Sequence, residues 1–275
     1  MPIKAIVNRD IAPIYAAPSC ESELADEALF GMVVDILSAQ PGWCNIRTHY
    51  RYEGFIEADD LLFDAGLIER WERSPKLVVL APYADILSAP KVQAPRLTGV
   101  PRGGAVAPEG PPDSGWQKVY MPDGTFGYIK YGHLGPYIDC WDPSNETALR
   151  KMLTDSAMSY IGAQYRWGGK TPLGIDCSGL TAMAYLLNGI IIYRDAAIMP
   201  GFLIHEIEFN RAGPGDLLFF PGHVAMYLGG GRYIHSTAKA GSDGVALNSL
   251  NPGDPDFRED LLSSMTCAGS VFIYG

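Results

Sequence analysis

The sequence lacks several features that mark particular classes of protein. No run of eighteen uninterrupted apolar residues occurs, and the best candidate, residues 180–192, is broken by Asn188 and Gly189, so we predict no membrane span. Basic residues are also few: 21 Lys and Arg stand against 31 Asp and Glu, a formal net charge of −10. Because phosphate binding needs clustered basic residues, we expect no nucleic-acid partner. A substrate that carries an amine suits this charge better.

Cysteine is scarce as well. The five cysteines are an odd number without CxxC spacing, which predicts neither a zinc site nor a full disulfide framework, and we expect no cofactor. The first ten residues lack the apolar stretch and the small-residue cleavage site of a secretory signal. We therefore expect a cytoplasmic protein. A chain trimmed of its leader would look the same and would be secreted or associated with the cell wall.

A repeat organises the first half of the chain. Residues 42–61 and 115–134 share Gly-Trp, an aliphatic residue three positions after the Trp, then Gly-aromatic-Ile and a final Leu. This alternation predicts a strand, a turn and a strand in each copy. A shorter echo, at residues 14–18 and 86–90, precedes each copy, so the duplication is expected to span whole domains.

Two small all-β barrels are predicted from this repeat, over residues 1–70 and 75–140, because short strands with Pro and Gly turns are typical of such barrels. Residues 92–115 are rich in Pro and Gly and are predicted to form a long loop of the second barrel. The alternative is one larger β-sandwich with an accidental echo.

A third unit, of the α+β class, is predicted for residues 145–275. Apolar residues recur at three- and four-residue steps from Leu149, which predicts a helix from Asn145 with Ser144 as its N-cap. A buried helix is predicted over residues 178–187. Short β-rich segments follow, and helices before an antiparallel sheet are typical of this class. The predicted strands are residues 216–220, 223–228, 232–236 and 270–274.

Cys177 lies at the first turn of the buried helix, after Asp176. Unpaired backbone N–H groups and the positive end of the helix dipole favour a thiolate there, which predicts a pKa below the reference of about 8.5. The other four cysteines show no comparable placement. A lone cysteine that caps a buried helix is otherwise most often inert.

Two histidines complete a candidate nucleophilic site. His223 and His235 lie on successive predicted strands joined across residues 229–231, so pairing of this hairpin makes them cross-strand neighbours on one face. A cysteine nucleophile needs an imidazole as its base, and the imidazole needs a third group to orient it. A single histidine on a strand is usually structural, but two in this register beside such a cysteine favour catalysis.

Five motifs now point to a family. They are Tyr-Arg-Trp-Gly-Gly (165–169), Gly-Ile-Asp-Cys-Ser-Gly-Leu (174–180), Pro-Gly-Asp-Leu (214–217), Gly-His-Val-Ala-Met-Tyr (222–227) and Tyr-Ile-His-Ser (233–236). In order and spacing they resemble the NlpC-type cell-wall cysteine peptidases. The resemblance implies a papain-like α+β fold for the third unit and SH3-like folds for the two barrels. It also implies that Cys177 is the nucleophile, His223 the base and His235 the orienting residue.

Two SH3-like units before such a domain resemble a subgroup, the γ-D-glutamyl-L-diamino acid endopeptidases, also called dipeptidyl-peptidase VI. The resemblance implies a small murein peptide as substrate: release of L-Ala-γ-D-Glu from stem peptides whose N-terminal L-Ala is free. It implies that acidic residues and a tyrosine bind the substrate amine. The candidates are Asp195, at the family's acidic position, Tyr50 and Tyr52 in the first barrel, and either Glu23 or Glu27.

Further substrate-binding candidates lie around the nucleophile: Asp176 and Ser178, which flank it, and Tyr165 in the first motif. Trp167 is expected to pack the cleft. Two other functions stay open, namely a wall-binding protein whose third domain is a platform, and a thiol hydrolase or acyltransferase acting on lipids or other amides. The sequence leaves open the preferred diamino acid, the oligomeric state and any ligand of the second barrel.

Overall fold

The two copies of the sequence repeat form two seven-stranded sheets. A computed structural model of the protein describes residues 3–272, and both sheets lie in the first of two compact units, which ends at Tyr137. The strands of the first sheet are β1 (Ile3–Val7), β2 (Ile11–Tyr15), β3 (Leu24–Leu29), β4 (Val33–Gln40), β5 (Trp43–Arg47), β6 (Glu53–Glu57) and β7 (Leu61–Leu62). Those of the second are β8 (Leu77–Val79), β9 (Tyr83–Leu87), β10 (Arg96–Pro101), β11 (Ala105–Pro108), β12 (Trp116–Tyr120), β13 (Phe126–Lys130) and β14 (Leu134–Pro136).

The strand order is the same in both sheets. The first runs β3-β2-β6-β5-β4-β1-β7 and the second β10-β9-β13-β12-β11-β8-β14, so every strand has its counterpart seven strands later. A short 3-10 helix precedes the last strand of each, at Ala58–Asp60 and Tyr131–His133. The duplication therefore extends over whole sheets and is more than an echo of one hairpin.

The repeated Gly-aromatic-Ile motif has a steric cause. A Cβ added at Gly54 on β6 would lie 2.5 Å from Ile14 of the neighbouring β2, and a Cβ at Gly127 on β13 would clash in the same way with Ile86 of β9. Ile14 and Ile86 are fully buried and belong to the shorter echo that precedes each copy. The glycine of one motif thus makes room for the isoleucine of the other, which explains why the two recur together.

The prediction of a long loop at residues 92–115 is wrong, because β10 and β11 lie within it. Pro101 and Pro108 are the last residues of these two strands, and β10 forms the edge of its sheet. Proline is tolerated at strand ends and edges, where a missing N–H breaks few ladder hydrogen bonds. The Pro and Gly residues of this segment therefore indicate the ends of strands and not a continuous loop.

Helix α1 (Ala65–Arg73) follows the first sheet and was not expected from the sequence. The Asp64 side chain caps it by accepting a hydrogen bond from the Leu67 N–H. Trp71 is almost completely buried, and its Nε1 donates to the Gly31 carbonyl at 2.9 Å. Ile6 of the first sheet and Tyr120 of the second pack in the same apolar cluster as Trp71. The helix thus joins the cores of the two sheets.

The second unit begins at Ile138 and has helices and an antiparallel sheet. Its elements are α2 (Glu146–Met158), β15 (Lys170–Thr171), β16 (Gly174–Ile175), α3 (Cys177–Leu186), β17 (His205–Ile207), a 3-10 helix (Phe209–Arg211), β18 (Leu217–Phe220), β19 (His223–Gly229), β20 (Arg232–Thr237), β21 (Gly244–Ser249), α4 (Glu259–Ser264) and β22 (Cys267–Ser270). The six-stranded sheet runs β17-β22-β18-β19-β20-β21. Among residues 3–272, no helix has the length and apolar character needed to cross a membrane.

Two boundaries in this unit differ from the prediction. The N-cap of α2 is Asn145, not Ser144, because the Asn145 side chain accepts from the Ala148 N–H while the Ser144 N–H bonds Asp142. The last strand, β22, ends at Ser270, where the predicted strand began. Ile273 and Tyr274 of that predicted strand lie outside the described residues.

Candidate active site

The first turn of α3 holds Cys177, as the sequence predicted. Asp176 is the N-cap in extended conformation, and its side chain accepts from the Gly179 N–H at 2.5 Å. Cys177 is 7% exposed. The backbone N–H groups of Val224 and Ser178 act electrostatically on its sulfur, so the thiol lies near the start of β19, where Val224 follows His223.

The predicted lowering of the cysteine pKa is wrong. Burial raises the pKa of the Cys177 thiol, and the negative charge of Asp176 raises it further. The N–H groups of Val224 and Ser178 and the Arg194 guanidinium act in the opposite direction without outweighing burial. A thiolate at this depth has lost the water that would solvate it, and the helix terminus replaces only part of that solvation.

His223 and His235 lie together on one face of the sheet, which confirms the expected arrangement. Met226 of β19 pairs with Ile234 of β20, a register that makes the two histidines diagonal neighbours across the strands. Nε2 of His223 lies 2.8 Å from Nδ1 of His235. His223 is partly exposed, whereas His235 is completely buried. The outer ring can therefore reach a substrate and the inner ring can orient it.

Both imidazoles are neutral near physiological pH. The pKa of His223 is lowered to about 3 and that of His235 to about 4, and burial is the main cause for each. His235 contributes to the lowered pKa of His223, and the positive charge of Arg258 contributes to both. A neutral His223 can accept a proton, so the resting site is a thiol beside a base.

Sequence reasoning missed a fourth polar residue in this row. His235 Nε2 lies 2.9 Å from Oδ1 of Asn248, which is 6% exposed on β21. Strand β21 was not among the predicted strands. Asn248 follows His235 by thirteen residues, close to the twelve that separate the two histidines, and this repeated spacing could have indicated a third paired strand.

Arg194 was also missed, and it changes the interpretation of Asp176 and Ser178. Its guanidinium binds both carboxylate oxygens of Asp176 at 3.1 Å and donates to the Ser178 hydroxyl at 2.8 Å. Gly168 N–H also donates to the same carboxylate. All three side chains are buried. The Asp176 carboxylate is therefore committed to the helix cap and an ion pair, which leaves backbone groups as its means of contacting a substrate.

The first motif places one aromatic hydroxyl close to the nucleophile. The pKa of Tyr165 is raised to about 12 by burial first and then by the charges of Cys177 and Asp176, as expected for neighbouring groups. The backbone of Tyr165 bridges to Ile175, just before the helix cap. Trp167, by contrast, is 60% exposed, and its packing in the cleft stays a prediction.

Asp195 lines a small cavity in the second unit. The walls are mainly apolar and include Thr181, Ile192, Phe219 and Val224. The backbone N–H of Val224 also acts on the Cys177 sulfur, so the cavity lies near this thiol. The Tyr193 side chain hydrogen-bonds Asp195, and burial followed by this carboxylate raises the tyrosine pKa.

The candidates in the first unit occupy a buried polar cluster. Tyr50 is 6% exposed, and its hydroxyl donates to Oδ2 of Asp26 at 2.5 Å, a residue that sequence reasoning missed. Tyr52 is partly buried with its hydroxyl 3.4 Å from the Ala25 carbonyl oxygen. Glu27 is buried on β3, whereas Glu23 is exposed. Of the two glutamates, Glu27 thus has the environment that makes a charged interaction strong.

Within residues 3–272, no group of three or more His, Cys, Asp or Glu side chains is placed to hold a metal ion. A cysteine at the start of α3 and two hydrogen-bonded histidines on β19 and β20, the strands that pack against this helix, are the groups that a nucleophile, a base and an orienting residue require. This constellation defines a cysteine hydrolase.

Comparison with known proteins agrees with the site. The model described as NlpC/P60 family matches residues 162–253, and that described as Bacterial dipeptidyl-peptidase Sh3 domain matches residues 14–61. Dipeptidyl-peptidase 6 of Lysinibacillus sphaericus is 43% identical over 274 residues, which covers 98% of this chain and 100% of that protein. Gamma-D-glutamyl-L-lysine dipeptidyl-peptidase of Bacillus cereus is 24% identical over 238 residues, 78% of this chain and 68% of that protein.

A solved structure shares the fold over almost the whole chain. The crystal structure of an NlpC/P60 family protein from Bacillus cereus has a TM-score of 0.79 at 21% identity and covers 96% of this chain and 98% of that one. The chain belongs to the NlpC/P60 family and is a cysteine peptidase.

Proposed function

We propose that the protein hydrolyses the amide bond between γ-D-Glu and the L-diamino acid of murein stem peptides, releasing L-Ala-γ-D-Glu. The observation that carries the proposal is the 2.8 Å contact between His223 and His235 on β19 and β20, the strands that pack against α3, whose first residue is Cys177. The near full-length similarity to Dipeptidyl-peptidase 6 supports the bond and the product. Cys177 is the nucleophile, His223 the base and His235 the orienting residue.

The reaction starts from the neutral pair. His223 takes the thiol proton as the sulfur attacks the γ-carbonyl carbon, and the carbonyl oxygen becomes an oxyanion. The Cys177 N–H, at a helix position without an intrahelical acceptor, and the Tyr165 hydroxyl are the donors proposed to stabilise it. The imidazolium then protonates the leaving amine, the C–N bond breaks, and a thioester remains. Water, deprotonated by His223, hydrolyses the thioester and restores the thiol.

The substrate amine is proposed to bind to acidic groups. Asp195 in its cavity is the first choice. Tyr50, Tyr52 and either Glu23 or Glu27 stay the candidates that the family resemblance implies for the first unit. Ser178 and the backbone of Asp176 are proposed to bind the D-Glu portion.

For the architecture, we propose two SH3-like barrels at residues 1–70 and 75–140 and a papain-like domain at residues 145–275. The shared strand order of the two sheets and the Sh3-domain match at residues 14–61 support the barrels. A cytoplasmic location stays a prediction from the sequence.

Product analysis tests the proposal. Purified protein is incubated with L-Ala-γ-D-Glu-L-Lys and, separately, with its diaminopimelate analogue, and the products are identified by mass spectrometry. The proposal predicts L-Ala-γ-D-Glu and the free diamino acid, and the ratio of kcat/KM for the two peptides gives the preference. Recovery of both peptides uncut, beside cleavage of an ester or another amide, would favour a thiol hydrolase with a different substrate.

The pH dependence is expected to be a wide plateau. The reactive form has one proton shared by Cys177 and His223, so activity falls in acid when the imidazole gains a second proton and in alkali when the pair loses its proton. Burial depresses the histidine pKa to about 3 and raises that of the thiol, which moves the two limbs apart. We expect kcat/KM to be constant from about pH 5 to about pH 8.5, the reference values of the two groups being about 6.5 and 8.5.

The profile is measured with the tripeptide over the pH range in which circular dichroism shows an unchanged fold. An acid limb centred near pH 6.5 would mean that burial does not suppress the His223 imidazolium. An alkaline limb near pH 7 would mean that the thiol is acidic, as the helix position alone suggested.

A further inference from the structure

We infer that Asn248 is a positioning residue that fixes the tautomer of both histidines, so that His223 presents a lone pair to the Cys177 thiol. The inference deepens the proposed function and rests on its assignment of His223 as the base. It starts from hydrogen bonds at the far end of the row, about which the five sequence motifs say nothing.

The orientation of the Asn248 amide is set by a backbone carbonyl. Its Nδ2 lies 2.8 Å from the carbonyl oxygen of Asp256 and donates to it. The flipped amide would bring two oxygen acceptors together there and leave a buried N–H group facing His235. Oδ1 therefore points at His235, 2.9 Å from Nε2. A carbonyl oxygen can only accept, so Nε2 of His235 carries the proton.

The tautomer of His235 then determines the tautomer of His223. A neutral imidazole holds one N–H, so Nδ1 of His235 is an acceptor when Nε2 is protonated. His223 Nε2, 2.8 Å away, must be the donor, which leaves Nδ1 of His223 without a proton. That nitrogen is the one not used in the row, and its lone pair is what a general base needs. The opposite tautomers would direct an N–H at the thiol and prevent proton transfer.

The sheet holds the row in place. Tyr233 pairs with Asn248, and His235 pairs with Ala246, so Asn248 is again a diagonal neighbour of His235 on the next strand. One polar side chain per strand thus runs across β19, β20 and β21. His235 is 0% exposed, so no bulk water can replace the amide oxygen. The acceptor has to come from the protein.

Two variants of Asn248 separate this role from simple packing. Asn248→Leu keeps the approximate volume and removes the acceptor, and we expect kcat to fall about tenfold or more with KM changed less than about twofold, because one neutral hydrogen bond sets the tautomer ratio. Asp254→Asn is the matched control: it removes a carboxylate that faces Arg232 on the same segment but leaves Asp256, whose carbonyl orients Asn248, unchanged. We expect its kcat to stay within about twofold of wild type.

Asn248→Asp gives a signature that packing would not. The carboxylate of the variant favours a positively charged His235. A charged His235 would donate through Nδ1 to His223 Nε2, so that His223 would carry its proton on Nδ1, the tautomer that cannot accept the thiol proton. Activity should then appear only as His235 loses that proton, so the acid limb moves up by about one pH unit or more. The other charges acting on His235, Arg258 and Asp260, have opposite effects and are unchanged in the variant.

The tautomers can also be read directly. Nitrogen NMR of the wild-type protein labelled at histidine distinguishes ring N–H from bare nitrogen, with signals assigned by their loss in His235→Gln. We expect a protonated Nε2 and a bare Nδ1 in both rings, and a mixture of forms at His223 in Asn248→Leu. A protonated Nδ1 at His223 in the wild type, or an unchanged kcat in Asn248→Leu, would overturn the inference. The NMR readout needs no substrate, so it remains valid if the murein peptides are not cleaved.

Discussion

Cys177→Ala is expected to lower hydrolysis of the stem tripeptide by on the order of 10⁴-fold or more, because the sulfur forms the bond to the acyl group and no neighbouring side chain replaces it. The fold should survive. The change removes one buried atom from the first turn of α3, and alanine is the strongest helix former, so the free energy of unfolding should change by about 1 kcal/mol. Product formation followed by mass spectrometry and a thermal melt measure the two effects.

Cys267→Ala is the matched control. Cys267 is a partly buried cysteine on β22 of the same unit, without a histidine partner in the described part of the chain, and its variant should keep full activity. A thiol-alkylating reagent should inactivate the wild-type and Cys267→Ala proteins equally. Cleavage by Cys177→Ala at a rate near that of the wild type would remove the assignment of the nucleophile.

The cysteine and the two histidines of the candidate site could be located from the sequence because each follows from local patterns. Helix start signals placed Cys177 within one residue of its observed position, and a three-glycine turn set the register that brings His223 and His235 together. The repeat likewise revealed two units of equal topology, since its glycines and isoleucines must fit one another wherever the fold recurs. Short-range constraints of this kind produce patterns that can be recognised in a single sequence.

Other parts of the site depend on contacts between segments that are distant in sequence, and no local pattern predicts such contacts. Arg194 forms an ion pair with Asp176 eighteen residues away, and only the folded loop brings them together. Asn248 lies on a strand whose sequence, Gly-Val-Ala-Leu-Asn-Ser, has too little alternation to be recognised. The direction of the Cys177 pKa shift also depends on burial, which is a property of the whole unit, and burial outweighed the helix terminus on which the prediction relied.

The second large effect is expected on the substrate side: N-acetylation of the L-Ala residue should lower kcat/KM by about tenfold to a few hundredfold. Asp195 carries the argument. Its carboxylate lines an otherwise mainly apolar cavity that adjoins the nucleophile through Val224. A substrate ammonium there would make a charge-assisted hydrogen bond worth about 1.5–3 kcal/mol, which converts to about tenfold to a few hundredfold.

An acetylated or glycan-linked peptide would lose that charge-assisted hydrogen bond, so intact peptidoglycan should be cut as slowly as the N-acetyl peptide. Asp195→Asn should narrow the ratio between free and acetylated tripeptides, because the amide gains little from a positive charge, yet leave alkylation of Cys177 unchanged. Asp155→Asn, which removes an exposed carboxylate from α2, controls for net charge and should keep the wild-type ratio. Equal kcat/KM for the free, acetylated and wall-linked substrates would contradict recognition of the amine. An enzyme that needs the ammonium acts on peptides already released from the glycan, and one that ignores it can act on the wall itself.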